Sequence, residues 1–328
     1  MIESSHKILL VGAGQLGSRH LQGLAQIDIP VSIAVIDPNR SSLKTAQERF
    51  VEIKENPNIK EIRFYTSIDK APGSIDLAVI ATGADVRAEV VTSLIADRTV
   101  RNIILEKFLF QKEADFARVG ELLQKQQVNA VVNCPRRLYP IYRLVKNMLS
   151  GEEPITFCVD GSNWGLGCNV IHFLDLFAFL TGNSSIKIDD KQLDKAVLES
   201  KRPGFVEFTG TLKGANARGD RFEISSRIEP GTPLQVSIET ANQQIMVHEA
   251  AGKALFINKV TGTEHQETFT MPYQSQLTGV VAREMLMNND CGLTPYHDSM
   301  QLHLPVLRSF IGHLNNVSNK QYDFCPIT

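Results

Sequence analysis

Lys107 comes directly after the strand-like run Asn102–Glu106, and His172 stands inside the apolar stretch 170–177; these two are the chain's candidates for moving a proton. Oxidising an alcohol needs a base that takes the hydroxyl proton while hydride leaves the carbon, and reducing a ketone needs the same group as an acid. A charged lysine can polarise a substrate oxygen, and a desolvated, cationic setting lets it relay a proton. The alternative is an ordinary solvated lysine at a strand end. At about 100° per residue, Cys168, His172 and Asp175 share one narrow helical stripe, while Val170, Phe173, Leu174 and Phe177 supply a packing face. A polar stripe there needs a partner or a ligand. The alternative is a core histidine satisfied by Asp175 or a backbone carbonyl. Cys168 and His172 have helical spacing for a metal, but no clear third ligand accompanies them, so no metal is expected.

A second set of residues points to a bound phosphate. Gly12-Ala13-Gly14-Gln15-Leu16-Gly17 separates an apolar strand, 7–11, from a helix near 15–26, and Asp37 closes the next strand, 31–36. In that setting Gly12 allows the tight turn, Gly14 lets the backbone approach a pyrophosphate, and Gly17 lets helix and sheet pack closely. Asp37 stands about 20 residues past the loop, where adenosine ribose hydroxyls are held, and its charge would repel a 2′-phosphate. NAD is therefore the expected cofactor, with NADP left open by the nearby Arg40. Gln15 and Leu16 lie within the loop; Thr82, Glu106 and Lys107 follow later strands, and all five are expected on the cofactor side. Thr82 could instead cap the helix that follows it.

The elements that would carry these residues alternate strand and helix through residue 133, with near-continuous apolar strand cores, as helices on both faces require. The expected fold class is α/β, a doubly wound dinucleotide-binding domain over 1–133. From 134 to 328 an α+β domain with an open, mostly antiparallel sheet is expected. Strands are expected at 206–212, 221–228, 234–240, 244–248, 254–259 and 265–270, with an apolar helix at 169–180 and closing helices near 275–287 and 297–315. A chain of 328 residues that is 43% hydrophobic, with net charge −2, shows no composition signal for disorder or nucleic-acid binding. No apolar run reaches the roughly 18 residues of a membrane span. The N-terminus lacks the basic flank and apolar core of a leader, so a cytoplasmic setting is expected. Five cysteines without a close pair suggest neither a disulfide framework nor a zinc centre.

Taken together, the glycine loop with His20 in the following helix, Ile80-Ala81-Thr82, Glu106-Lys107, Arg136-Arg137 and His172 resemble the Gfo/Idh/MocA oxidoreductase family across essentially the whole chain. The resemblance implies hydride transfer between a nicotinamide cofactor and a secondary alcohol or carbonyl, commonly on a sugar, cyclitol or nucleotide sugar. It also implies Lys107 and His172 as catalytic groups. Arg136, Trp164, Cys168 and Asp175 are candidates for contacting substrate. Arg136 could clamp an anionic group or brace the domains, and Trp164 could line the nicotinamide pocket or sit in the core. Three departures stand out: Phe108 replaces the family's proline after the lysine, Gly83 and Arg87 replace its proline and histidine after the fourth strand, and Cys168 replaces its aspartate. A biliverdin reductase-like reductase of a non-sugar molecule, or a cofactor-binding sensor with little turnover, are the rival readings. A sheet covered by helices on one face leaves apolar positions on the other, so a homodimer or homotetramer is expected.

Overall fold

The computed structural model describes residues 5–152, 154–318 and 320–328. The stretch Met1 to Ser4, read above as carrying no leader, lies outside them. The first elements are β1 (His6–Val11), α1 (Gln15–Leu24), β2 (Val31–Ile36), α2 (Arg40–Val51), β3 (Ile59–Tyr65), β4 (Ser74–Ile80), α3 (Ala84–Asp97), β5 (Thr99–Leu105), α4 (Glu113–Lys125) and β6 (Asn129–Val132). Then come α5 (Pro140–Met148), β7 (Thr156–Ser162), α6 (Leu166–Thr181), β8 (Ile186–Leu193), β9 (Leu198–Glu199), β10 (Val206–Glu207), β11 (Gly210–Asn216) and β12 (Arg221–Arg227). β13 (Gln235–Glu239), β14 (Gln243–His248), β15 (Lys253–Asn258), β16 (Glu264–Thr268), α7 (Gln274–Asn288), β17 (Thr294–Pro295) and α8 (Tyr296–Val317) complete the chain.

The first sheet runs β17-β6-β5-β4-β1-β2-β3, with all strands parallel except the edge strand β17. Ile8, Leu9 and Leu10 of β1, like Leu77 to Ile80 of β4, are buried, because helices cover both faces. β17 closes the β6 edge, and Pro295 leaves that new edge short of a donor. Asn39 caps α2 by accepting from the backbone N–H of Ser41 at 2.8 Å.

The chain forms two compact units that are not contiguous in sequence. One comprises Met1–Leu109, Ala117–Asn133 and Pro272–Tyr296; the other comprises Phe110–Phe116, Cys134–Met271 and His297–Thr328. The chain passes between units at 133/134, but residues 110–116 already belong to the second unit, and α7 and β17 return to the first. The reason is steric. A Cβ on Gly279 of α7 would lie 2.5 Å from the Gly23 carbonyl oxygen of α1, so the two helices meet backbone to backbone. Arg283 of α7 also pairs with Asp28 at 3.0 Å.

In the second unit an eight-stranded sheet runs β16-β15-β14-β13-β7-β12-β11-β8, antiparallel throughout except between β7 and β12. Phe177 of α6 packs its ring against Phe157 and Phe222 on the inner face. The expected single strand 206–212 is two: β10 pairs with β9 and β11 with β12, and between them Phe208 stacks on Phe310 at 4.4 Å. β8 carries no apolar run and escapes sequence reading; its pairing with β11 makes it a strand. On the outer face Lys213 pairs with Glu223 at 2.8 Å, Arg227 with Asp160 at 2.9 Å, and Thr211 with Ser225 at 2.8 Å. These positions of β7, β11 and β12 are polar, while Cys158, Met246 and Leu255 lie half-buried on the same face. Among the described residues, no helix is long and apolar enough to cross a membrane.

Candidate active site

Four parallel strands end in register, with Val11 beside Ile80, Ile80 beside Leu105 and Leu105 beside Val132. The next residues, Gly12, Ala81, Glu106 and Asn133, therefore form a row along the carboxyl edge, where ligands bind in doubly wound sheets. The three glycines have separate tasks. Gly12, at φ +92°, would place a Cβ 2.8 Å from the Ala81 carbonyl, and a Cβ on Gly17 would lie 1.9 Å from the Gly12 oxygen. Gly14 has no atom within 4 Å of its would-be Cβ, so its side of the loop is open. It is also the N-cap of α1, and no side chain caps the first turn, which leaves backbone N–H groups for an anion.

Asp37 closes β2 beside this loop. Its Oδ2 accepts from Ala13 N at 2.7 Å and its Oδ1 from Asn39 N at 2.8 Å, so the carboxylate is held in a fixed orientation with lone pairs to spare. Gln15 is tied to Arg49 of α2 at 2.7 Å, and Leu16 is exposed. The Thr82 hydroxyl, after β4, is buried without a hydrogen-bond partner; the cap to the following helix is not made by it. An open loop at Gly14, an uncapped helix start, an oriented carboxylate and an orphaned hydroxyl fit a dinucleotide.

Glu106 is buried within a closed ring of side chains. Its Oε1 accepts from His20 Nε2 at 2.9 Å and from Asn133 Nδ2; Asn133 also donates to Gln274 at 3.0 Å, Gln274 to Thr278 at 3.0 Å, and Thr278 lies 3.0 Å from His20 Nδ1. Burial alone would raise the Glu106 carboxyl, but the His20 and Asn133 hydrogen bonds and the charge of Lys107 outweigh it and hold it below its ordinary value. Glu106 therefore stays ionised next to Lys107, which is half-buried. A lowered folded value means that the stabilisation is fully present above the unfolded value of about 4.3 and is lost as pH falls through the folded one. The gap in Tm between the unaltered protein and Glu106→Gln is thus expected to be full and level above about pH 5 and to shrink below about pH 4. Melts across that range check it, and a constant gap would assign Glu106 no such linkage.

In the second unit, α6 carries Cys168, His172 and Asp175. Asp175 is fully buried, and both its oxygens are taken by Arg137, at 2.9 and 3.1 Å. His172 and Cys168 are half-buried on the same helix. Arg136 grips Glu249 of the same unit with two bonds, at 2.8 and 2.9 Å, and lies 4.2 Å above the Phe173 ring. Tyr142 also donates to Glu249, at 2.7 Å, and burial followed by that carboxylate pushes its hydroxyl well above the ordinary range. Trp164 is half-buried, donates to Ser225 O at 2.8 Å and packs edge-on against Phe173. Sequence reading missed Glu207, which accepts from Gly167 N and Cys168 N, both at 2.9 Å, and so occupies the start of α6. Its only signal would have been an acidic residue in a strand region. A cavity of about 420 Å³ within this unit is lined by Trp164, Cys168, Asn169, Glu207, Thr209 and Ser226 among others.

Residues 6–134 match the family model GFO_IDH_MocA, described as an oxidoreductase family with an NAD-binding Rossmann fold. No curated protein matches the chain. Solved structures share its fold. An oxidoreductase from Agrobacterium radiobacter, in complex with NAD+, L-tartaric acid and magnesium, aligns over 92% of this chain and 94% of its own, with TM-score 0.72 and 16% identity. The UDP-N-acetylglucosamine 3-dehydrogenase from Acidithiobacillus ferrooxidans covers 93% and 97%, with TM-score 0.70 and 13% identity. A 3-ketoreductase from Actinomadura kijaniata in complex with NADP covers 92% and 96%, with TM-score 0.67 and 13% identity. With the glycine loop, Asp37 and the Glu106-Lys107 pair standing on the carboxyl edge of its first sheet, residues 6–134 form a Rossmann domain that matches the Gfo/Idh/MocA oxidoreductase family's NAD-binding fold.

Proposed function

We propose that the protein transfers hydride between NAD(H) and a secondary alcohol or keto carbon of a sugar, cyclitol or nucleotide sugar. The observation that carries this reading is the row along the sheet edge of Gly12, Ala81 and Glu106, with Thr82 and Lys107 next in the chain, which combines a dinucleotide loop with a lysine able to handle a proton. The cofactor supplies the hydride exchange. Lys107 protonates the carbonyl oxygen in reduction or accepts the hydroxyl proton in oxidation, and the buried carboxylate of Glu106 fixes a negative charge beside it. His172 is the second candidate for orienting substrate or sharing the proton. That a UDP-N-acetylglucosamine 3-dehydrogenase and a 3-ketoreductase share the fold supports the substrate class.

Following NADH absorbance against a panel of sugars, cyclitols and nucleotide sugars tests the reading; silence across the panel, with NADH bound, would favour a non-sugar substrate or a sensor. Cofactor choice has its own test. The Asp37 carboxylate, held by two backbone N–H groups with lone pairs to spare, is the proposed acceptor for the ribose hydroxyls, so the protein should bind NADH more tightly than NADPH, and Asp37→Ala should narrow the difference by about tenfold, the scale of a charge-assisted bond. Calorimetric titration measures both, and equal or tighter NADPH binding by the unaltered protein would remove the ribose role from Asp37.

A further inference from the structure

Arg87, in the first turn of α3, is only 1% exposed. A guanidinium keeps its charge when buried, so its N–H groups need acceptors. Nη1 donates to the carbonyls of Phe108 and of Leu109, the latter at 2.9 Å, and Nη2 donates to the Thr82 carbonyl. These acceptors lie on the two segments that leave β4 and β5, neighbouring parallel strands, at the cofactor edge. The Thr82 segment is in turn the wall against which the glycine loop packs, since a Cβ on Gly12 would sit 2.9 Å from Thr82 N. One rigid planar group thus ties the Thr82 segment, with the glycine loop behind it, to the turn that carries Lys107.

The carbonyl of Thr82 is bound while its hydroxyl is buried without a partner. Such a group costs free energy unless a ligand or water completes it. The direction in which that hydroxyl points is set by the backbone that Arg87 holds. We infer that Arg87 is a positioning residue for cofactor binding: it holds Thr82 and the Glu106–Leu109 turn in the arrangement the dinucleotide requires, so that binding needs no reordering of these segments. This rests on the NAD-binding reading of the first unit.

NADH is the probe, titrated into the full chain well below the Tm of each variant. Arg87→Met, which keeps the apolar stem and removes every donor, is expected to weaken NADH about tenfold, as loss of a preorganised hydrogen-bonding group does. Arg87→Lys retains the charge but not the fork and should fall between. Thr82→Val should cost about threefold on its own and nothing further when added to Arg87→Met, because the hydroxyl is already misdirected. NADH affinity within about twofold of the unaltered protein for Arg87→Met, whatever its Tm, overturns the inference. If that variant does not fold, Arg87→Lys decides, unaltered affinity and additivity with Thr82→Val overturning it. Absence of NADH and NADPH binding by the unaltered protein is a different result, and sinks the cofactor reading itself.

Discussion

Lys107→Ala is expected to lower turnover by about 10²-fold or more, the usual scale for losing an acid–base group, while NADH affinity stays within about twofold. The lysine follows Glu106, whose carboxylate is held between His20 and Asn133 in the ring of hydrogen bonds and remains ionised at neutral pH. Alanine removes the proton-handling group but leaves that network and the glycine loop in place, so the loss belongs in kcat rather than in cofactor binding. Steady-state kinetics on the substrate found by the absorbance screen, with a parallel NADH titration, separates the two. Normal turnover by Lys107→Ala would move the proton role to another residue, with His172 the next to test.

The second large effect is expected at Gly17. Its would-be Cβ lies 1.9 Å from the Gly12 carbonyl oxygen, a contact between backbone atoms that no rotamer change relieves. Gly17→Ala must therefore push α1 away from the loop. Overpacking of this kind costs about 1–3 kcal/mol of stability, and the displaced loop should bind NADH about 10²-fold more weakly or not measurably, since its N–H groups no longer converge on the pyrophosphate. Gly14→Ala provides the contrast. Gly14 has φ −63° and nothing within 4 Å of its Cβ, so the fold accepts a methyl group there and only the bound dinucleotide would collide with it. Thermal melts with NADH titrations should show Gly17→Ala losing both stability and binding, and Gly14→Ala losing binding alone. If Gly14→Ala binds NADH as the unaltered protein does, the pyrophosphate does not approach at that residue.

Sequence by itself determined the parts of this protein whose causes are local. The apolar run of β1, the spacing of Gly12, Gly14 and Gly17, and Asp37 closing β2 are each legible in residue type within a few positions: a strand covered on both faces must be apolar throughout, and a turn without room for a Cβ at positions 12 and 17 must be glycine there. The α6 stripe was legible as a helix by the same periodicity, and the alternation in β13 as a strand. Tertiary structure alone decided which polar group each buried charge would meet. Glu106 meets His20 across 86 residues, and His20 meets Thr278 across 258, because α7 returns to pack on α1 at Gly23 and Gly279. Asp175 shares a helical stripe with His172, yet its carboxylate belongs to Arg137, and Arg136 belongs to Glu249. Strand β8 exists because β11 needed a partner along that edge. A buried ion takes whichever counter-charge the folded chain brings within hydrogen-bonding distance, and that distance is set by packing between elements far apart in sequence.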